Sequence, residues 1–164
     1  MKKTLILFVS LLSSLYSLPE SSVYHKIIKM YENNASPKLL LEIGKLASQM
    51  EISLEAYQKD NNYRTIAHLK IVKSDNYGDF VAYDGYHFKQ IIKKYPHSNL
   101  VDDAKYYLIY LSDDVNNYTD LNEEKTKLEA FIKKYPKSNL LTQAKERIEF
   151  IENSIKSGAP AILD

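Results

Sequence analysis

The sequence predicts an all-α fold, a solenoid of about three stacked helical hairpins, and three observations predict it. The first is an internal repeat at a 40-residue offset. Residues 88–108 (FKQIIKKYPHSNLVDDAKYYL) and 128–148 (LEAFIKKYPKSNLLTQAKERI) are identical at ten of 21 aligned positions. A period of this size marks supersecondary units stacked on one another. The second is apolar spacing at helical intervals in both copies. The third is a matched set of helix starts and stops.

The repeat has a local logic. Phe88, Ile91, Ile92 and Tyr95 line one face of a helix. Lys93 and Lys94 fall in its last turn, where cations suit the helix dipole. Pro96 cannot continue the helix and biases Tyr95 away from helical angles. Ser98 can cap the next helix, with Asp102 and Asp103 near its positive end. Leu100, Ala104, Leu108 and Leu111 form the buried stripe, with Tyr107 at the edge. The second unit repeats the scheme with Leu128, Phe131, Ile132 and Tyr135, then Leu140, Ala144, Ile148 and Ile151. A faint third copy, IIKMY, lies at Ile27–Tyr31.

Upstream, Ser36–Pro37 is a cap followed by proline at the first helical position. Leu39, Leu40, Ile43, Leu46, Ala47 and Met50 then make an apolar face. Residues 53–74 are expected to be helical, although Thr65–Lys73 carries alternation and β-branched residues that also fit a strand. Gly78–Asp79–Phe80 reads as the turn opening a helix at about 79–95. Asp113–Asn117 is a polar loop, and Ser157–Gly158–Ala159–Pro160 ends the last helix.

The N-terminus sets the expected compartment. Met1, Lys2 and Lys3 precede a largely apolar run from Thr4 to Tyr16, and Ser17 is small. That is the order of a secretory signal, with a run shorter than the roughly 20 residues of a membrane span. The same segment also fits an uncleaved anchor. The expected organisation is a signal peptide at 1–17, one helical domain at 18–157 and a loose tail at 158–164. A periplasmic product is expected, with secretion the second choice.

There is no cysteine, so disulfides, lipoprotein acylation, cysteine-ligated zinc and thiol catalysis are excluded. Without Lys2 and Lys3 the formal charge falls from +1 to about −1, which argues against a general nucleic-acid binder. His25, His68, His87 and His97 show neither HxxxH nor HExxH spacing, and are read as exposed or edge residues. Asp114 does not open an EF-hand, since Thr119 stands where glycine is needed and Lys125 where glutamate is needed. No GxSxG or phosphate-cradling glycine loop occurs among the four glycines. No cofactor, metal or small-molecule substrate is expected, and no enzyme.

Gly78–Asp79–Phe80, Phe88, Ile91–Ile92, Tyr95–Pro96, Ser98 and Ala104 resemble the tetratricopeptide-type repeats of bacterial envelope proteins, those of the BamD/YfiO and YbgF/CpoB type above all. The resemblance covers about residues 78–150 and implies a tetratricopeptide-like helical solenoid. Asp84 and Glu124 depart from it, standing where such repeats usually carry alanine. It implies an exported protein–protein interaction scaffold or adaptor for a protein or peptide partner in the envelope. The alternative is an inhibitor or immunity protein that masks an exported toxin or hydrolase.

Fourteen tyrosines supply the candidate recognition surface. Tyr106 and Tyr110 lie four apart on one helix, and Tyr83 and Tyr86 are expected on the preceding helix, off its buried stripe. Tyrosine gives large contact area at low entropic cost. The competing reading is that these rings pack between neighbouring helices.

Overall fold

The computed structural model describes residues 35–73, 78–111 and 121–157. The signal segment at 1–17, the third repeat copy at 27–31, the loop at Asp113–Asn117 and the tail at 158–164 lie outside the described residues.

The chain is a small mixed α/β fold, mostly helical, with a two-stranded antiparallel sheet. In chain order the elements are α1 (Pro37–Ser48), α2 (Leu54–Lys59), α3 (Asn62–Thr65), β1 (Leu69–Val72), β2 (Phe80–Tyr83), α4 (Tyr86–Lys94), α5 (Val101–Leu111), α6 (Leu121–Lys134) and α7 (Leu141–Ser157). No helix among the described residues is long and apolar enough to cross a membrane.

The sheet corrects the all-α expectation. Leu69 pairs with Tyr83, Lys70 with Ala82, Ile71 with Val81 and Val72 with Phe80. So the segment expected as a helix over 53–74 breaks into two short helices and a strand. The helix expected from residue 79 starts only at Tyr86. The physical reason sits in two places. Val72, Phe80, Val81 and Tyr83 are residues that favour the pleated surface, and the ladder pairs their backbone groups. Gly85 takes φ 79°, a left-handed value no helix interior accommodates, and so separates β2 from α4. Close approach also requires glycine there. A Cβ at Gly85 would lie 2.6 Å from Leu108 Cδ2 and 3.7 Å from Leu111 Cδ1. The three-pair helical solenoid is therefore overturned, since residues 54–83 hold two short helices and a sheet instead.

The starts and stops read from the sequence do their expected work at α1. The Ser36 hydroxyl accepts from the Leu39 amide at 3.3 Å, and Pro37 takes the first helical position. α1 buries Leu40, Leu41, Ile43, Gly44 and Ala47. Gly44 lies beneath the ring of Phe88, where α1 crosses α4.

The two Tyr-Pro junctions match bond for bond. The Tyr95 amide donates to Ile91 O and the Tyr135 amide to Phe131 O, both at 2.9 Å. Ser98 N then donates to Tyr95 O at 2.9 Å, and Ser138 N to Tyr135 O at 3.0 Å. The Ser98 and Ser138 hydroxyls accept from Leu100 N and Leu140 N, both at 3.2 Å. The next helix starts from Ala104 N→Leu100 O in one unit and Ala144 N→Leu140 O in the other, both 3.0 Å. Identical residues thus build identical turns, and α4–α5 and α6–α7 are two copies of one hairpin.

The core lies in two clusters that meet at α5. One gathers α1, α2, α3, the sheet, α4 and α5 around Ile43, Ala47, Ala67, Phe88, Ile91 and Ala104. The other gathers α5, α6 and α7 around Tyr106, Leu128, Phe131, Leu140, Ala144 and Ile151. Phe131 is buried between Tyr106 and Tyr135, with ring centroids at 5.4 and 5.3 Å, as the repeat register requires. The Tyr57 hydroxyl donates to Leu69 O at 3.1 Å, tying α2 to β1. Tyr95 donates to Ala35 O at 3.0 Å, tying the first junction to the start of α1.

Candidate functional site

The four tyrosines singled out by spacing fall into two separate groups, each with a buried inner ring and a half-buried outer ring. The first group sits where the sheet meets α4. Tyr83 is the last residue of β2, not a helical residue, and is only 5% exposed. Its hydroxyl accepts from the His87 amide at 2.8 Å and lies 2.8 Å from His87 Nδ1. Tyr86 opens α4, where the Asp84 carboxylate accepts from its amide at 2.7 Å. Its ring stacks on His68, with centroids 3.5 Å apart and planes 10° apart. His68 meets the edge of His87 at 5.4 Å.

His87 is fully buried, which corrects its reading as an exposed or edge residue. Burial, reinforced by His68, lowers its pKa to about 3, so the ring is neutral near pH 7. A buried neutral ring supports Tyr83 and Tyr86. His68 holds a left-handed backbone, φ 54°, unusual for a residue with a Cβ. That conformation turns the chain from α3 into β1 and lays the imidazole on Tyr86. His97 is exposed in the first junction, and His25 lies outside the described residues.

The second group lies between α5 and the α6–α7 hairpin. Tyr106 is 6% exposed and packs on Phe131. Its hydroxyl shares a 2.8 Å hydrogen bond with that of Tyr110, which is half-buried. Burial pushes both phenols above their usual range, and the bond to Tyr110 pushes Tyr106 further. Beside them Arg147 holds Glu124 through two bonds, Nε to Oε1 and Nη2 to Oε2, both 2.8 Å.

Spacing alone put Tyr106 next to Tyr110. It did not reveal their depth, nor the Glu124–Arg147 pair. The signal for that pair was in the repeat. At the 40-residue offset Arg147 replaces Tyr107, and Leu128 replaces Phe88. The first unit stacks Tyr107 on Phe88 at 5.3 Å, and the second fills the same place with a charged side chain that needs a counter-charge.

The start of α4 lies beside the end of α5, because Gly85 is packed against Leu108 and Leu111. The half-buried rings of Tyr86 and Tyr110 therefore occupy the same end of one hairpin. Each is held from beneath, Tyr86 by His68 and Tyr110 by Tyr106. No group of three or more His, Cys, Asp or Glu able to hold a metal occurs among the described residues. Comparison with protein-family models, with curated proteins and with solved structures finds no match in any of the three.

Proposed function

We propose that this chain is an exported interaction adaptor of the bacterial cell envelope, one that holds a protein or peptide partner and acts by binding rather than catalysis. The observation that carries the reading is the pair of fixed outer rings, Tyr86 and Tyr110, at one end of the α4–α5 hairpin. An aromatic ring already held in place loses little freedom when a partner covers it, which is how rigid anchors gain affinity. The N-terminal order of charge, apolar run and small residue supports export to the periplasm, with secretion as the second destination.

The test is site-specific photo-crosslinking in cells, with a photoreactive residue in place of Tyr86 or Tyr110. The expected result is one discrete protein adduct at each position, found in the envelope fraction. Adducts absent at both positions, while a probe at exposed Lys70 gives the same background pattern, would sink the reading.

A further inference from the structure

We propose that the end of the molecule formed by the two Tyr-Pro junctions is a lysine-rimmed surface that adsorbs to anionic lipid headgroups. This goes beyond the tyrosine reading and uses different residues.

The duplicated hairpin places the same charges twice. Lys93 and Lys94 close α4, and Lys133 and Lys134 close α6. Two contacts show that the junctions lie side by side. Lys105, near the start of α5, holds its Nζ 5.6 Å from the ring centroid of Tyr135 in the second junction. Asp103 of α5 is buried and hydrogen-bonded to the Asn139 side chain, also in the second junction. The lysines that end α4 and α6 therefore share one end of the molecule with Lys105 and Lys137.

These cations are largely uncompensated. Lys93, Lys94, Lys133, Lys134 and Lys137 are exposed and make no ion pair among the described residues. Elsewhere Lys59, Lys125 and Lys127 are paired to glutamates. Lys70 and Lys73 also make no ion pair among the described residues, so it is the grouping at one end that marks the rim. No Asp or Glu occurs from Gly85 to Val101, or from Ala130 to Lys145. Of the two carboxylates near the start of α5, Asp103 is turned inward and Asp102 is half-buried. Helix dipoles account for the lysine pairs ending α4 and α6. They do not account for Lys137, which lies in a turn, or Lys105, which sits toward the positive end of its helix.

The side-chain type selects the occupant. Protein interfaces favour arginine and are depleted in lysine. Arginine's planar fork reads individual carboxylates, whereas lysine is a flexible point charge. A rim of lysines alone suits a diffuse field of negative charge, and an anionic leaflet attracts each lysine that comes near its surface. The near-neutral total charge leaves this end as a local feature and does not describe a general nucleic-acid binder.

The experiment is co-sedimentation of the full chain with vesicles of phosphatidylcholine, alone or mixed with phosphatidylglycerol. Binding is expected only to the mixed vesicles. It should vanish near about 1 M salt, where the screening length falls to about 3 Å. The combination Lys93→Gln, Lys94→Gln, Lys133→Gln and Lys134→Gln should weaken binding about a hundredfold or more. Lys105→Gln with Lys137→Gln should weaken it less but measurably. Lys70→Gln with Lys73→Gln, exposed on and beside β1, should leave it unchanged. Thermal melting of each variant verifies that the fold is kept. No binding to mixed vesicles would overturn the proposal. So would equal binding to neutral vesicles that ignores salt, the signature of the apolar N-terminal segment. Tighter capture of polyglutamate than of mixed vesicles would overturn it in favour of an acidic protein partner.

Discussion

Arg147 on α7 closes a two-pronged fork on Glu124 at the start of α6, and the pair is almost wholly withdrawn from water. The side chains are 12% and 1% exposed, and both nitrogen–oxygen distances are 2.8 Å. Two charges so buried repay much of their desolvation through each other, and the Arg147 guanidinium also lies 5.1 Å from the Phe150 ring centroid. Arg147→Leu or Glu124→Ala alone should cost about 3–5 kcal/mol, because each leaves the other charge stranded. Replacing both together with apolar residues should cost much less than the two losses added, since contacting residues couple. Urea denaturation of the two singles and the double reads the coupling. Additive losses would show that the fork holds nothing together.

Gly44 and Phe88 supply a steric prediction with two opposed effects. Alanine in place of a mid-helix glycine favours a helix by about 1 kcal/mol. Yet a Cβ at position 44 would lie 2.5 Å from Phe88 Cε1, and Phe88 is fully buried. The ring has no free direction in which to retreat, and overpacking of this kind costs about 1–3 kcal/mol. Gly44→Ala should therefore destabilise the protein on balance, by up to about 2 kcal/mol. A raised melting temperature would mean that α1 and α4 can move apart.

His87 predicts an acid limb to the stability curve. Its pKa is about 6.5 when exposed and about 3 in the fold. Between those values the unfolded chain binds the proton and the folded chain does not, so stability falls as pH falls, by up to ~1.4 kcal/mol per pH unit. The contribution is complete above about pH 6.5 and spent below about pH 3. Asp103 works the other way. Burial, and then the charge of Asp102, raise its pKa, so protonation at low pH relieves a strain. His87→Leu should flatten the acid limb, and urea midpoints at a series of pH values measure it. An unchanged slope would mean that the His87 environment opens before the fold does.

These outcomes also show why part of the fold was legible and part was not. The Tyr-Pro stops, the Ser36–Pro37 start and the burial of Phe131 are consequences of local chemistry, and short strings of residues express them. The sheet is only half expressed. The alternation and β-branched residues of Thr65–Lys73 fit a strand as well as a helix. In the fold β1 is buried, exposed, exposed, buried over Leu69–Val72, without a clean two-residue period. Its partner lies across a hairpin, so the pairing is a relation between segments. Gly85 was the overlooked sign, since a glycine inside an expected helix argues for a break. The tyrosines illustrate the same limit. Spacing put Tyr106 beside Tyr110 but gave no sign of His68 on Tyr86 or His87 on Tyr83, and depth depended on whether α6 lies over Tyr106 and whether β2 turns Tyr83 inward.

The last prediction separates support from recognition among those tyrosines. Tyr106 is buried against Phe131 and carries the hydroxyl that holds Tyr110. Tyr106→Ala removes a core ring and should cost about 3–5 kcal/mol, as for other buried aromatics. Tyr106→Phe keeps the ring and removes only the hydroxyl, at about 1 kcal/mol, and it frees Tyr110 to rotate. Tyr110→Ala removes a half-buried ring and should leave the fold close to intact. If recognition uses Tyr110 as a fixed anchor, Tyr110→Ala lowers partner capture by about 2 kcal/mol, roughly thirtyfold, with little change in melting. Tyr106→Phe should then lower capture by a smaller factor without touching the partner, because it releases an anchor that was held in place. Melting curves and capture measured on the same four proteins, wild type included, decide the matter. Full capture by a folded Tyr110→Ala variant would move recognition away from α5 altogether.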